Sequence, residues 1–427
     1  MSGVAVRFWG MVASPFENEP ILYEIDAGFF LPDRGDEQEG PSDALPAGDP
    51  DEAVRLFHEY RRRMAEILGY EDELPGPATE EDLDAAEERL GLAFPPDLRA
   101  LYGIADGDGY KIINHLFDRH PWHSLDEIGD EEEDWLLGRQ WEYEPQRSTV
   151  FDSEPPNAVR RSLLRPGWIQ FADDTGGNWL AVDMDPGPEG RPGQVIAIGI
   201  DYTDGPLYVA DSVTTFLRRL VEALERGDYS QHDQNLWIEA DLPNGLAIDS
   251  ERTWYTDGPS ARAQAGQTRP RVQRVRVSDV GDLAFLDALP NVRSLSLAGS
   301  GSPDLTPLRE RPVEYLELDL ETVGLTPLTG HPELRSLSVS SARPVELAPL
   351  LTVPHLWALD IAGAPVADLA AVAEFQGLRF LELTHDQWRE LRDDLPSLAA
   401  VGIHPRRPER EWPVGTHWTR VLGEPPR

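Results

Sequence analysis

The chain has 427 residues, no cysteine, and 77 acidic against 38 basic side chains, for a formal net charge of -39. Disulfide and thiol chemistry are thereby excluded, and direct nucleic-acid binding is disfavoured because no basic stripe exists to displace phosphate counterions. No run approaches the ~20 apolar residues of a membrane span, and the start MSGVAVRFWGMVASPF lacks a basic segment followed by a long apolar core, so a cytoplasmic protein is expected.

In chain order, residues 4–12 and 21–30 read as strands that pair with each other or extend a central sheet. The acidic, glycine- and proline-rich stretch 35–50 reads as a flexible linker. A helix is predicted from Asp51, with Val54, Phe57, Met64, Ile67 and Leu68 mainly on one side. Thr79 is a good N-cap, Asp82 approximates a capping box, and Glu80 and Glu81 suit the positive end of a helix dipole. Leu83, Ala86, Leu90 and Leu92 then form an apolar stripe. Pro95 and Pro96 cannot continue that helix, but Pro96 can open the next, with Leu98, Leu101 and Tyr102 inward before Asp106-Gly107 turns the chain. Such an elbow also suits any small α+β domain.

His115, His120 and His123 follow, read as loop histidines because a zinc site needs further ligands of fixed geometry. The acidic run Asp130, Glu131, Glu132, Glu133 and Asp134, flanked by Trp122 and Trp135, is either a solvated loop or a contact patch. Residues 168–185 alternate apolar and polar side chains around Gly176-Gly177-Asn178, the pattern of a β-hairpin. A strand resumes at Gly193, and Ala210-Asp211-Ser212 leads into a helix carrying Phe216, Leu217, Leu220 and Leu224.

That order, with Glu87, Leu90-Gly91, Pro95, Asp97-Leu98, Asp106-Gly107, Trp168-Ile169, the turn from Asp174 to Asn178, Asp183, and Ala210-Asp211-Ser212, resembles the SUKH superfamily, the Smi/Knr-type fold of fungal cell-wall regulators and bacterial toxin-immunity proteins. The resemblance spans roughly residues 52–228. It implies an α+β domain of helices on a mainly antiparallel sheet, without catalytic machinery, that binds other proteins.

From residue 272 the pattern changes. Apolar triplets begin at Val272, Val292, Val313, Leu334, Leu356, Leu378 and Leu398, spaced 20 to 22 residues apart, with a second apolar pair in return segments such as Leu305/Leu308 and Leu325/Leu328. This resembles short leucine-rich repeats of the bacterial type, a C-terminal solenoid of about seven short rungs. A single rung cannot bury enough surface to offset its chain entropy, so the rungs must stack and the ends need caps. Residues 235–256 could supply one cap, and Trp412 and Trp418 the other. Residues between the leucines project from a concave face, where Tyr315, Glu317, Asp319, Asp360, Phe380 and Glu382 offer aromatics among carboxylates.

The charge is uneven: -33 over residues 1–270, -8 over 271–403 and +2 in the tail. The organisation expected is N-terminal strands and linker (1–50), SUKH domain (51–229), linker and solenoid cap (230–271), repeats (272–403), and a terminal cap (404–427). The function expected is a non-enzymatic, immunity-type protein with no cofactor or metal, sequestering a basic, nuclease-like toxin. Its contacts would be Trp122, Asp130, Glu131, Glu132, Glu133, Asp134, Trp135, Asp173 and Asp174, together with the six concave-face residues. The alternatives are a cytoplasmic regulatory scaffold of the cell-wall type and a metal-dependent hydrolase using Asp183 and Asp185 as oxygen ligands.

Overall fold

The computed structural model describes residues 21–26, 33–41, 44–109, 116–129, 149–232, 235–242, 252–404 and 419–425. The chain divides into two compact units, one formed by residues 32–250 and the other by residues 1–31 with 251–427. The first described strand, β1 (Ile21–Glu24), belongs to the second of these. No helix among the described residues is long and apolar enough to cross a membrane.

The unit of residues 32–250 is α+β. Helix α1 (Pro50–Leu68) starts where Asp49 accepts from the Glu52 amide and Pro50 fixes the first turn, and it stops at left-handed Gly69. Its buried stripe is Ala53, Leu56, Phe57, Tyr60 and Met64, so Val54, Ile67 and Leu68 lie at its margin. Helix α2 (Glu80–Leu90) has the expected box: Thr79 accepts from the Asp82 amide, and Asp82 accepts from that of Thr79. The double proline then forces an extended step before α3 (Pro96–Tyr102). A short turn, α4 (Leu116–Arg119), precedes the sheet β2 (Trp168–Asp173), β3 (Asn178–Asp183), β4 (Gln194–Gly199) and β5 (Leu207–Ala210), antiparallel in that order. Helix α5 (Val213–Arg226), capped by Ser212, packs with α1 and α3 on one face of it.

The alternation read in residues 168–185 predicts one solvated face, yet every residue of β3 is buried. Trp168, Trp179, Ala181, Ile196 and Ile198 form a second small core with Ala158, Val159 and Leu164, from a segment lacking regular structure. The stretch read as a flexible linker is also fastened down. The Arg160 guanidinium donates to the carbonyls of Gly35 and Gln38, and Ala47 N–H bonds Pro192 O at 2.8 Å. Gly48 has φ +104° and a Cβ there would lie 2.1 Å from Asp97, so only glycine fits. Asp97 itself is fully buried and accepts from the amides of Leu98 and Thr214 and the Thr214 hydroxyl, each at 2.9 Å. Apart from the bond to Leu98, these ties join residues distant in the chain, which composition does not reveal.

A hairpin of β6 (Tyr229–His232) and β7 (Asn235–Ile238) closes this unit, adding Leu236 and Ile238 to its core. Residues 235–256 are therefore not one cap: their first part joins this unit and their last part begins β8 of the other.

The other unit holds a ten-stranded sheet, ordered β16-β1-β15-β14-β13-β12-β11-β10-β9-β8. Strands β8 (Thr253–Asp257), β9 (Arg274–Ser278), β10 (Ser294–Gly299), β11 (Tyr315–Leu320), β12 (Ser336–Ser341), β13 (Ala358–Gly363), β14 (Phe380–Thr384) and β15 (Ala400–His404) are parallel neighbours. Val275, Leu295, Leu316, Leu337, Leu359, Leu381 and Val401 stand in register and are at most 1% exposed. Helix α6 (Gly258–Ala263) follows β8, and α7 (His385–Leu391), with a Thr384/Gln387 capping box, follows β14. Between other strands lie 3-10 turns, three opened by Pro307, Pro327 and Pro349, that bury Leu308, Leu328 and Leu350 completely. Proline suits these positions because its fixed φ matches the first turn and its missing N–H has no partner there.

Strand β1 lies antiparallel to β15 and parallel to β16 (Thr419–Leu422), so it extends this sheet and not the central one of the other unit. Trp412 and Trp418, read as a cap, and the strand read at residues 4–12 lie outside the described residues.

Candidate partner-binding surfaces

The packing just described places Trp122, Asp173 and Asp174 among the contacts predicted for the unit of residues 32–250. Asp130, Glu131, Glu132, Glu133, Asp134 and Trp135 lie outside the described residues. Trp122 is not a surface anchor: it is fully buried, with ring centroids 4.9 Å from Tyr102, 5.7 Å from Phe57 and 5.8 Å from Phe117. Gly107, at φ +76°, makes room for it, because a Cβ there would stand 2.8 Å from Trp122 O and 2.7 Å from Ser124 N. Asp173 is buried too, its Oδ2 2.6 Å from His123 Nε2, so it is not a free contact carboxylate.

Asp174 stays near the surface but organises the hairpin turn. It accepts from Gly176 N at 2.7 Å, Asn178 N at 3.0 Å and Asn178 Nδ2 at 2.6 Å. Burial raises its carboxyl, but the Asn178 and Gly176 donors prevail and hold it below the usual range. The elbow carboxylates Glu80, Asp84 and Glu87 gather on the single guanidinium of Arg99 at 2.7, 2.8 and 2.8 Å, so this cluster keeps a net negative charge.

The hydrolase constellation does not form. Asp183 is fully buried and accepts from Gln194 Nε2 at 2.8 Å and Asp185 N at 2.9 Å, while Asp185 pairs with Arg160 and Arg165 at 2.9 and 2.7 Å. His120 and His123 face different partners, the Phe117 carbonyl and Asp173, and His115 lies outside the described residues.

Burial pushes the Asp183 carboxyl up to about 7 against those two donors. An acid whose pKa is raised on folding favours the folded state while protonated. Between its unperturbed pKa of 3.8 and about 7 the unfolded chain has lost this proton and the folded chain has kept it, so stability falls as pH rises across that window. Asp183→Asn should remove this component, on the order of a few kcal/mol. Urea midpoints of wild type and variant at pH 4.5 and 7.5 measure it; an identical pH slope in both proteins would refute it.

In the ten-stranded sheet, the side chains opposite the leucines form rows. The row Tyr315, Ser336, Ala358, Phe380 and Ala400 is buried, so Tyr315 and Phe380 are not exposed aromatic platforms. The next row, Arg276, Ser296, Glu317, Ser338, Asp360 and Glu382, alternates charge with hydroxyl up to Asp360 and then sets two carboxylates side by side. Ser296 Oγ donates to Glu317 at 2.7 Å and Ser338 Oγ donates to Asp360 at 2.8 Å, while His404 Nε2 lies 3.0 Å from Glu382 Oε2. Asp319 is exposed and Glu317 and Asp360 half-buried, whereas Glu382 is buried. Burial, then the charges of Glu317, Asp360 and Glu382, drives the Tyr315 hydroxyl well above its ordinary pKa, so it remains a phenol. Burial lowers His404, but the Glu382 hydrogen bond and the Glu382 and Asp360 charges outweigh it and leave its pKa raised.

His404 was missed in the sequence because it falls just beyond the last apolar triplet. The register pairs Glu382 with Gly402, so His404 stands one step further along the same strand face, a position that the repeat spacing does not mark. A second row was also missed. Arg293, Glu314, Arg335, Trp357 and Arg379 occupy the position before each strand, with Arg293 on Glu314 at 3.0 Å and the Arg335 guanidinium 4.2 Å from the Trp357 ring.

A sequence model described as the SMI1 / KNR4 family (SUKH-1) matches residues 77–219, from just before α2 to within α5. The chain is 25% identical over 287 residues to the cell wall assembly regulator SMI1 of Saccharomyces cerevisiae, covering 56% of this chain and 57% of that protein. It is 31% identical over 229 residues to the cell wall biosynthesis/cell cycle regulator smi1 of Schizosaccharomyces pombe, covering 48% and 44%. It is likewise 31% identical over 193 residues to a glucan synthesis regulatory protein of Neurospora crassa, covering 36% and 35%. The chain thus spans between about a third and somewhat over half of the length of these curated relatives.

Proposed function

Because the chain carries a domain of the SMI1/KNR4 family (SUKH-1) at residues 77–219, we propose that it works as a non-catalytic regulatory scaffold that binds other proteins. The observation that carries this reading is the similarity to regulators of cell-wall and glucan synthesis, which favours the scaffold over toxin immunity, the reading preferred from sequence. The chemistry of the domain is in keeping with it: Asp97, Asp173 and Asp183 are spent on internal hydrogen bonds.

We read the parallel strands and 3-10 turns of residues 272–403 as leucine-rich-repeat rungs that supply the docking face. Half-buried carboxylates beside hydroxyls are preorganised acceptors for the arginines or lysines of a basic protein partner. Glu317 and Asp319 are the contacts this reading assigns first.

Affinity capture with the full chain, followed by titration of each captured protein, tests the proposal. Several partners with affinities that fall as salt rises are expected; one nuclease-like partner held at nanomolar Kd in a stoichiometric complex would restore the immunity reading. For any basic partner, Glu317→Gln with Asp319→Asn should slow association by about 3- to 10-fold at 50 mM salt and much less at 500 mM. Stopped-flow rates that ignore both the substitutions and the salt would remove this face from the interface.

A further inference from the structure

We propose that Asp360, Glu382 and His404 form a binding site for one divalent transition-metal ion of the zinc type, an inference independent of the scaffold reading. Among the described residues these three side chains are the group whose ligand atoms all lie within 4.8 Å of one another. They come from three adjacent strands, β13, β14 and β15, on the face opposite the leucines.

The register explains how they converge. Asp360 and Glu382 are direct partners across β13 and β14, a placement of like charges that weakens a sheet unless something offsets it. The partner of Glu382 on β15 is Gly402, which contributes no side chain, and His404 is the next residue on that face. Its imidazole reaches back over the glycine, bringing Nε2 to 3.0 Å from Glu382 Oε2. An ion with bonds of about 2.1 Å needs donor atoms roughly 3 to 3.5 Å apart. That spacing already holds for His404 and Glu382, and all three ligand atoms lie within 4.8 Å of one another.

The surroundings fix the ligands. Asp360 Oδ2 accepts from Ser338 Oγ at 2.8 Å and Oδ1 from Ala362 N at 3.0 Å, which orients the carboxylate while leaving lone pairs free. Glu382 is 7% exposed, so its charge has little water to solvate it. One imidazole nitrogen with two carboxylates suits zinc, cobalt or manganese, whereas calcium and magnesium prefer oxygen alone. An ion held there would tie β13, β14 and β15 together.

The test uses the full chain stripped with a chelator. Calorimetric titration with zinc chloride should give one ion per chain with a Kd at or below about 10 μM, and cobalt chloride should give the visible absorption of a nitrogen-ligated ion. His404→Ala and Glu382→Gln should each weaken binding by at least about 10-fold, while Glu346→Gln, at an exposed carboxylate elsewhere in the same unit, should leave it unchanged. Should His404→Ala fail to fold, the near-isosteric Glu382→Gln decides alone. A flat titration, binding only at millimolar ion, or one-to-one binding that survives Glu382→Gln would overturn the proposal.

Discussion

Trp122→Ala should destabilise the unit of residues 32–250 by about 3–5 kcal/mol, the range for deleting a large aromatic from a core. The side chain is fully buried where α1, α3 and the chain before β2 meet, in contact with Phe57, Tyr102 and Phe117. Phe117 passes the packing on to Phe171 on β2 and Phe216 on α5 at 5.2 and 6.3 Å, so one cavity would loosen helices and sheet together. The backbone has little freedom to collapse inward, because Trp122 N donates to Asp108 Oδ2 at 2.9 Å and its carbonyl accepts the Asp108 amide at 2.9 Å. A loss of this size is a large share of the stability of an ordinary domain. Urea unfolding followed by near-ultraviolet circular dichroism measures it, with Trp122→Phe retaining most of the packing. A midpoint shift worth less than about 1 kcal/mol in the alanine variant would mean that this cluster does not hold the domain together.

The contrast between Trp122 and the elements around it shows what the sequence carries. The Thr79/Asp82 box, the restart at Pro96 and the glycine turn after Asp174 were legible because each is decided within a few residues by capping or φ restriction. The apolar triplets foretold the in-register strands β9 to β15 for a similar reason, since a fixed repeat puts equivalent residues side by side. What was not legible depends on contacts distant in the chain. Trp122 and Asp173 lie beside acidic or turn residues and read as surface, but a far-off helix covers the first and His123, 50 residues earlier, claims the second. Tyr315 and Phe380 were assigned to the correct strand face without any means of knowing that their row is buried. Strand β1 pairs with a strand near the opposite end of the chain, which no window of local periodicity can register.

Leu337→Asp should cost the ten-stranded sheet at least about 5 kcal/mol, more than the loss of packing alone, because it places a carboxylate without a partner inside an apolar stack. Leu337, the second residue of β12, is 1% exposed and level with Leu316 and Leu359, both fully buried. Protonation would relieve the charge but leave two polar oxygens among leucines, so the penalty persists at low pH. Leu337→Ala, which only removes packing, should cost about 2–5 kcal/mol. The position also decides how far the damage spreads. Each parallel strand is bonded only to its two neighbours, so a break at β12 separates β8 to β11 from β13 to β15, and neither remnant keeps the shared contacts that stabilise stacked units. Hydrogen exchange followed by mass spectrometry should therefore show protection lost across β9 to β15 in the aspartate variant, while β2 to β5, which have a separate core, stay protected. Loss of protection confined to β12 would show instead that the strands are stable singly and that the stack is not cooperative.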